Sequence, residues 1–588
     1  MWAVGILRRG RHRPHQEIAV SPDASCYVNK MPPRWVVLTA GILALALGIA
    51  SVWMTRNYVG PDGLSYLEIA SHFLDQGPRG LVNGYWSPMY PVFIAVGLKA
   101  TGRDLLLEYL SVHIGNWLGY ALSVVAFWFF LASLRRDASG RMIQTSWPWL
   151  LMALAFFLDG DFNDNAPLLE IASPDILITA VAYWIAALLL RIADEADRRK
   201  WWLWLGVALA AGYHTKSMYF AMAPLVMLIA LIAGFRRGGG WVKSAAASAI
   251  VWAALCAPWV TVQSAREGRL SFGETGRLAY VWFVNHVRTP GCEGVKLYPL
   301  SKLKNPPAVL MKEPVVVFDF TSGPAGTIPS WFDQSYYGAG VPSVIDFPEM
   351  WRIAKAQFDY YWKLLFVPFA LLPAALLVVV LANKSSSAEL RKLNWRRLAL
   401  LAFPVIPFLM YAVVVTQYRY LPAYWVIFWL LLWDAVDRLW AGRRPKLAAT
   451  ACLVIALFLG WRIAGHMKPR ILSLRDFPRA LRSIEQAPYA RAGFSLNSLG
   501  APPGSPVVAL GDNFWHLYAR PARVRVSGQI DPPDVDKFWK LDEQAKGKVY
   551  RTLADAGFRA IVTVHKPPAE APDWRLLDGA AYWARILP

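Results

Sequence analysis

Cysteine is scarce in this sequence, and its spacing suggests no site. The four cysteines form no CxxC pair and no Cys/His pattern of a zinc site. Cys256 and Cys452 lie inside apolar runs and Cys26 lies near the N-terminus, so we expect no disulfide framework. Cys292 stands alone in a polar loop, and two interpretations of its thiol stay open, an inert one and a reactive one.

Charge is scarce as well. Charged residues make up 17% of the 588 residues, against 56% hydrophobic and 14% aromatic residues. This composition is too apolar for a soluble multidomain protein. It is typical of a membrane protein with several spans and additional soluble parts.

Several common catalytic motifs are missing. The chain has no HExxH, GxSxG or Walker A sequence in a suitable context, which argues against the corresponding peptidases, hydrolases and nucleotide-binding proteins. The first polar loop also lacks a DxD pair, the motif that holds a metal diphosphate in many nucleotide-sugar enzymes. We therefore expect no metal site and no bound cofactor.

The net charge of +21 could indicate nucleic-acid binding, but its distribution argues against a nucleic-acid partner. The basic residues lie largely in short clusters between apolar runs: RRGRHR, RRDASGR, DRRK, FRRGGGWVK, ELRKLNWRR and AGRRPK. Short basic loops between spans mark the cytoplasmic side of a membrane protein. We predict a multi-pass protein of the plasma (inner) membrane, in contact with membrane lipids, with a cytoplasmic N-terminus and an extracytoplasmic C-terminus.

Apolar runs predict a polytopic α-helical membrane protein with about eleven spans. The first run, WVVLTAGILALALGIASVWM, begins at Trp35 and is typical of an uncleaved signal-anchor. The other runs are residues 105–134, 147–158, 176–192, 201–211, 218–235, 245–262, 364–381, 398–415, 422–436 and 447–461.

The predicted topology divides the chain into three parts. Residues 1–33 form a cytoplasmic segment that is either disordered or a mis-assigned start, since Met31 would itself begin such a protein. Residues 34–465 form the transmembrane domain, with extracytoplasmic loops at 55–104 and 264–360. Turn-rich stretches of the second loop, such as TSGPAGTIPSWFDQSYYGAGVPS, indicate irregular structure rather than a packed domain.

The third part, the tail at residues 466–588, differs in composition from everything before it. SPVVALG and FRAIVTV are typical of short buried strands, and AYWARIL could add another. Between the first two, DVDKFWKLDEQAKGKVYRTLADAG has helical periodicity and ends at Gly557, a natural C-cap. The tail is therefore predicted to form a small extracytoplasmic α/β domain with at least one βαβ unit, without the Gly-rich loop of a nucleotide site.

Two acids begin predicted helices on the outer side. Asp62 lies in RNYVGPDGLSYLEIASHFLDQG, and Asp175 lies in IASPDILITA. Either aspartate could be a helix N-cap, which is a common role for this residue. Alternatively, the two carboxylates form a site at the membrane surface, where the apolar side of the first helix would hold Asp62 at the interface.

Two cations lie on the same predicted side. Lys216 in GYHTKSMYF and Arg419 in TQYRYLPAYW stand at outer junctions of spans, where the positive-inside rule makes such residues rare. Each side chain either extends to lipid headgroups or pairs with a protein carboxylate or a lipid phosphate.

Four further polar residues lie in or beside apolar runs. Glu108 and His113 fall in the second run, where either could belong to a functional polar site. Asp434 and Asp437 flank the cytoplasmic end of a late run, and we expect both to be solvated.

In their order along the chain, these features resemble the GT-C superfamily of membrane glycosyltransferases, and in particular the branch of bacterial aminoarabinose transferases and protein O-mannosyltransferases. The matching stretches are PDGLSYLEIA, NGYWSPMYPVFIAVG, SPDILITAVAYWIAALLLR, LGVALAAGYHTKSMYF and YRYLPAYWVIFWLLL. The resemblance covers about residues 34–465, and the tail is similar only in general layout.

The resemblance implies a GT-C-like fold and transfer of a sugar from a polyprenyl-phosphate donor to a hydroxyl of a lipid, glycan or protein acceptor. Asp62 would be the general base or the acceptor-orienting group, and Asp175 a second catalytic residue. Lys216 and Arg419 would bind the departing phosphate. Several relatives carry two adjacent acids in the first loop, whereas Gly63 follows Asp62 here, which weakens the case for protein mannosylation. The other predicted substrate-binding residues are Tyr66, Tyr85, Trp86, Tyr90, His214 and Tyr420.

Two other functions stay open on the sequence alone. A transporter or flippase of a lipid-linked substrate would also use cations in the membrane. Transporters usually show paired half-repeats with broken helices, whereas this chain has large, unequal outer loops. A non-catalytic scaffold of an envelope-assembly complex would use Asp62 only as a helix cap.

Overall fold

The computed structural model describes residues 34–134, 146–159, 166–235, 240–292, 294–366, 369–382, 395–439, 445–568 and 571–588. Where they are described, the predicted apolar runs lie largely on helical segments, apart from turns such as residues 369–370 and 413–414. The predicted N-terminal segment 1–33, the cluster RRDASGR and the side chain of Asp437 lie outside the described part.

The described helices are, in chain order, α1 Arg34–Thr55, α2 Pro61–Gln76, α3 Met89–Ala100, α4 Glu108–Leu134, α5 Ser146–Leu158, α6 Asp175–Asp194, α7 Arg199–Thr215, α8 Met218–Gly234, α9 Gly240–Glu267, α10 Thr275–Phe283, α11 Pro329–Phe332, α12 Gln334–Tyr337, α13 Phe347–Tyr361, α14 Leu371–Ala382, α15 Trp395–Leu398, α16 Ala402–Ala412, α17 Pro422–Leu439, α18 Pro445–Ser473, α19 Phe477–Ala480, α20 Pro488–Leu499, α21 Ala519–Ala522, α22 Val535–Trp539 and α23 Glu543–Asp555. A 3-10 turn, Tyr418–Tyr420, directly precedes α17.

Among the described residues, six helical segments are long and apolar enough to cross a membrane: Leu38–Thr55, Leu105–Leu134, Asp175–Asp194, Gly240–Glu267, Trp395–Ala412 and Thr450–Asp476. The bent pair Phe347–Phe366 and Leu371–Val378 would make a seventh if it is counted as one span. Other apolar helices are shorter, such as α7 and α8 with 17 residues each. The count of about eleven spans therefore stays a prediction.

The helix α2, in the predicted loop 55–104, is buried more completely than a helix with a single apolar face. Every residue from 63 to 71 is buried, including Glu68. One side of α2 packs against α3, which in turn packs closely on α4. Gly97 permits that approach, because a Cβ there would lie 2.0 Å from the backbone oxygen of Ser111. α2 also contacts α11, which lies in the predicted loop 264–360.

Two sheets are present in the described part of the chain. β1 Val287–Arg288 and β2 Lys296–Leu297 form a parallel pair. The remaining strands form a seven-stranded mixed sheet in the order β3-β4-β6-β5-β7-β9-β8, called the large sheet below. Its strands are β3 Ala308–Met311, β4 Val317–Asp319, β5 Pro506–Leu510, β6 Arg525–Ile530, β7 Ala560–Thr563, β8 Arg575–Leu576 and β9 Trp583–Ile586.

The large sheet contains the strands that the tail sequence predicts, together with others that it does not. β5, β7 and β9 lie in the three predicted stretches, and Gly557 follows α23 with a φ of +89°. β6 runs parallel to β5, and the connection between them contains α21. β3 and β4 come from the predicted loop 264–360, and β4 pairs with β6. These two strands were not predicted. They lie before the stretch 321–343 for which irregular structure is predicted, and they complete a sheet begun by the tail.

Candidate functional site at the helix ends

A cavity of about 140 Å³ collects charged residues from four separate parts of the chain. Asp62 lies at the start of α2 and Asp175 at the start of α6. Lys216 lies between α7 and α8, and Arg419 lies in the 3-10 turn before α17. All four line the cavity, so the site is formed where several helices begin or end.

The four charged side chains form an alternating chain of ion pairs. Arg419 Nη2 donates to Asp62 Oδ2 at 2.8 Å, and Arg419 Nε lies 3.5 Å from Asp175 Oδ2. Lys216 Nζ donates to Asp175 Oδ1 at 2.7 Å. Each cation thus faces a carboxylate, as a charge removed from water requires. The alternative in which these cations extend to lipid headgroups is wrong for this arrangement.

The two carboxylates differ in access. The Asp175 side chain is 3% exposed, and its Oδ2 also accepts a hydrogen bond from Ser173 Oγ at 2.9 Å. The Asp62 side chain is 25% exposed, and among the described residues no hydrogen bond reaches its Oδ1. Asp62 is therefore the carboxylate that a ligand in the cavity can contact directly.

Neither aspartate is a helix cap. The N-cap of α2 is Gly60, Pro61 occupies the first turn, and no side chain caps the helix. The N-cap of α6 is Pro174, again without a side-chain cap hydrogen bond. Both acids still lie in the first turn, where negative charge is favourable. The N-cap interpretation of Asp62 and Asp175 is wrong, because their carboxylates are directed at cations instead.

Aromatic rings enclose the cations. Lys216 Nζ lies 3.6 Å from the ring centroid of Tyr420, which stacks on Tyr411 at 4.6 Å. Burial lowers the pKa of Lys216, and the charge of Asp175 acts in the opposite direction. Burial would also lower the pKa of Arg419, but Asp62 and Asp175 raise it above its ordinary value.

The far wall of the cavity is aromatic. Tyr66 packs on Trp86 at a centroid distance of 4.8 Å, and Tyr85 packs on Trp86 at 4.6 Å and on Trp282 at 5.7 Å. Trp331 completes the wall. Trp282 and Trp331 belong to the second outer loop and were not predicted. The only signal for them was the aromatic clusters YVWF and PSWF in a loop otherwise rich in turn residues.

Two predicted substrate-binding residues lie away from the cavity lining. Tyr90 packs edge-on against Tyr66 at 4.9 Å and donates from its hydroxyl to Asn116 Oδ1 at 2.6 Å. His214 points to the backbone oxygen of Leu255, 3.1 Å from its Nε2. Tyr90 therefore lies behind the aromatic wall, and His214 lies on another side of α7.

The polar residues of the apolar runs have protein partners. Glu108 accepts hydrogen bonds from Arg520 at 2.9 and 3.0 Å. His113 is buried, and its Nε2 lies 2.7 Å from a backbone oxygen. Asp434 is buried and accepts from Arg397 at 3.2 Å. The prediction that Asp434 is solvated was wrong, because a buried arginine pairs with it. Among the described residues, no group of three His, Cys, Asp or Glu side chains could hold a metal ion.

Close packing explains why residue 63 is a glycine. A Cβ at this position would lie 2.3 Å from the Cβ of Ala172, so any side chain would force α2 away from the segment before α6. The close approach of these two segments, which carry Asp62 and Asp175, therefore explains why a glycine and not a second acid directly follows Asp62.

Comparison with known proteins gives several similar solved structures, two of which are described below. No family model and no curated protein matches the sequence. ArnT from Cupriavidus metallidurans in the apo state aligns with a TM-score of 0.45 and 13% identity, covering 94% of this chain and 98% of that chain. The Archaeoglobus fulgidus oligosaccharyltransferase, tethered with an acceptor peptide containing the NVT sequon, aligns with a TM-score of 0.42 and 11% identity, covering 90% and 69%.

Proposed function

We propose that this chain is a membrane glycosyltransferase that moves a sugar from a polyprenyl-phosphate donor to an acceptor hydroxyl at the outer face of the plasma membrane. The observation that carries this proposal is the alternating set of Asp62, Arg419, Asp175 and Lys216 in one cavity at the ends of apolar helices. Displacement at an anomeric carbon needs positive charge at the departing phosphate and a carboxylate at the incoming hydroxyl.

Lys216 and Arg419 are the phosphate-binding groups in this scheme. A donor phosphodiester carries one negative charge, and its leaving group gains a second as the bond to the sugar breaks. Both cations therefore stabilise the transition state more than the bound donor, which is the condition for a contribution to rate. Arg419 holds Asp62 through one terminal nitrogen, and its planar guanidinium has further N–H groups for a phosphate oxygen.

Asp62 is the acceptor-binding carboxylate. A phosphate that binds Arg419 replaces Asp62 as the negative partner of the guanidinium. Both oxygens of Asp62 are then free to contact the acceptor hydroxyl. The acceptor oxygen then forms a bond to the anomeric carbon, the bond from that carbon to the phosphate oxygen breaks, and the hydroxyl proton passes to Asp62. Polyprenyl phosphate departs. Asp175 has both oxygens engaged, so its role is to position Lys216 and Arg419.

The position of the cavity suits a lipid-linked donor. Asp175 is the first residue of a candidate span, and Arg419 directly precedes the apolar helix α17. A polyprenyl chain would lie in the bilayer beside such helices while its phosphate reaches the two cations. The aromatic wall around Trp86 and Trp282 offers flat apolar surfaces for a sugar ring.

The test is a transfer assay with the purified full-length chain in detergent. Polyprenyl-phosphate hexoses, pentoses and amino-pentoses serve as donors, an envelope extract serves as acceptor, and the released polyprenyl phosphate is measured. We expect release with one donor class and its loss in Arg419→Gln. Movement of intact donor across a vesicle membrane without release would support a flippase instead. Mass spectrometry of envelope glycolipids and glycoproteins with and without the gene identifies the acceptor.

A further inference from the structure

Trp331, in the aromatic wall of the cavity, is supported by segments other than the helices that carry the ion pairs. Trp331 lies on α11, a helix of four residues that packs between α2 and β6 of the large sheet. A single turn of helix has almost no stability of its own. The orientation of Trp331 in the cavity therefore depends on what contacts α11 from either side.

The large sheet contacts α11 through the loop after β5. Phe514 stacks on the Trp331 ring at a centroid distance of 4.7 Å and an angle of 30°. Next to it, Asn513 Nδ2 donates to Ser330 Oγ at 2.6 Å, and both side chains are fully buried. This loop therefore fixes both the ring of Trp331 and the backbone that carries it.

A second set of contacts joins the sheet to α2. The Thr327 N–H donates to Glu68 Oε1 of α2 at 2.7 Å, while the Val526 N–H of β6 donates to the Thr327 oxygen at 2.7 Å. Arg520, in α21, lies 3.8 Å from Glu68 and makes two hydrogen bonds to Glu108 of α4. The segment before α11 and the helix α21 thus both contact α2 at Glu68.

The opposite end of α11 is linked to the rest of the aromatic wall. Asn83 Nδ2 donates to the Phe332 oxygen at 2.8 Å. The Oδ1 of the same asparagine accepts from the backbone N–H groups of Tyr85 and Trp86, at 2.9 and 3.0 Å. A displacement of α11 would therefore move Trp331 directly and would be transmitted through Asn83 to Tyr85 and Trp86.

We propose that the large sheet is the positioning unit of the transfer site. Phe514 and Asn513 place Trp331 against the sugar, and Arg520 holds α2, which carries Asp62. None of these three lines the cavity, so they are positioning residues. This inference rests on the proposed function for its kinetic effect, but the positioning itself is a property of the structure. A displacement of about 1 Å at a reacting centre costs roughly a hundredfold in rate.

The structural part is tested by hydrogen–deuterium exchange on the full-length chain in detergent. Phe514→Ala and Arg520→Gln should accelerate exchange at residues 327–332, and Arg520→Gln should also accelerate it in α2. Arg585→Gln is the matched control, because its side chain is 23% exposed against 22% for Arg520 and pairs with Asp573, in the turn before β8, rather than with α2 or α4. Unchanged exchange in both variants would overturn the positioning role. Should Phe514→Ala fail to accumulate, Phe514→Leu keeps most of the apolar volume and tests the same stacking.

The kinetic part separates positioning from phosphate binding. In Phe514→Ala we expect kcat to fall about tenfold or more, with inhibition by free polyprenyl phosphate unchanged, because Lys216 and Arg419 are untouched. Phe514→Trp keeps the stacking and should restore turnover. If exchange is faster in the variants but the unmodified chain transfers no sugar, the positioning role stands and the proposed function is wrong. Normal exchange together with normal turnover in Phe514→Ala would remove the positioning and leave the function.

Discussion

Arg419 lies between two aspartates, with Nη2 2.8 Å from Asp62 Oδ2 and Nε 3.5 Å from Asp175 Oδ2. Arg419 and Asp62 are 357 residues apart in the chain, and both come from short segments outside the candidate spans. This ion pair joins the start of α2 to the 3-10 turn before α17, and both of its residues line the cavity. A phosphate that competes with Asp62 for Arg419 would couple donor binding to acceptor binding.

Asp62→Asn should abolish transfer while leaving the fold intact. Asparagine keeps the size and can still accept from Arg419, but it cannot take the acceptor proton. We expect kcat to fall by roughly 10²- to 10⁴-fold with donor binding retained, measured by turnover and by direct binding of the lipid-linked donor. Asp75→Asn is the control, since Asp75 lies in the same helix and pairs with Arg103 at the surface. Normal turnover in Asp62→Asn would remove the catalytic assignment.

Lys216→Gln should weaken donor binding. Loss of a charge-assisted contact to phosphate is worth about 1.5–3 kcal/mol, which corresponds to roughly 10- to 150-fold in the KM for the donor. Lys200→Gln in the neighbouring helix α7 is the control, because Lys200 lies over the Trp201 ring and away from the cavity. Equal effects of the two substitutions would show that net charge, and not the site, is responsible.

The alkaline limb of the pH profile should depend on Lys216. Burial lowers the pKa of Lys216 from its ordinary value of 10.5, so the ammonium form is lost at a lower pH than for an exposed lysine. Donor kcat/KM should therefore fall as the pH rises toward 10.5. In Lys216→Arg, the guanidinium stays charged and this fall should move to higher pH. A profile identical to that of the wild-type chain would exclude Lys216 as the titrating group.

Gly63→Asp should destabilise the chain rather than add a second catalytic acid. The new Cβ would lie 2.3 Å from the Cβ of Ala172, and overpacking of this kind costs about 1–3 kcal/mol. Thermal unfolding in detergent measures the loss. Gly60→Ala, where a Cβ would have no neighbour within 4 Å, should change the midpoint much less. Recovery of stability in a Gly63→Ala, Ala172→Gly double variant would identify this contact as the cause.

The orientation of the chain is testable with fusions. We use a reporter that is active only outside the cytoplasm. Fused after Pro588, it should be active, and inserted at Arg198, between α6 and α7, it should be inactive. The reason is the placement of basic clusters at alternate ends of the spans. Activity of the Arg198 fusion would place the cavity on the cytoplasmic side.

The sequence by itself determined the elements whose signals are local. The described parts of the apolar runs are largely helical, and three predicted stretches of the tail contain β5, β7 and β9. Hydrophobic periodicity and length decide such elements because both act over a few residues. The helix start near Asp62 was predictable for the same reason, but Pro61 in the first turn moved the N-cap back to Gly60.

The tertiary structure alone decided which residues meet. The pairs Asp62–Arg419 and Glu108–Arg520 join residues 357 and 412 positions apart, and no local period carries that information. The same holds for β4, which is a strand because β6 lies beside it, and for Trp331, which reaches the cavity because the large sheet supports α11. Buried charges need a partner and short strands need a neighbour, so both are specified only when the distant segments have packed.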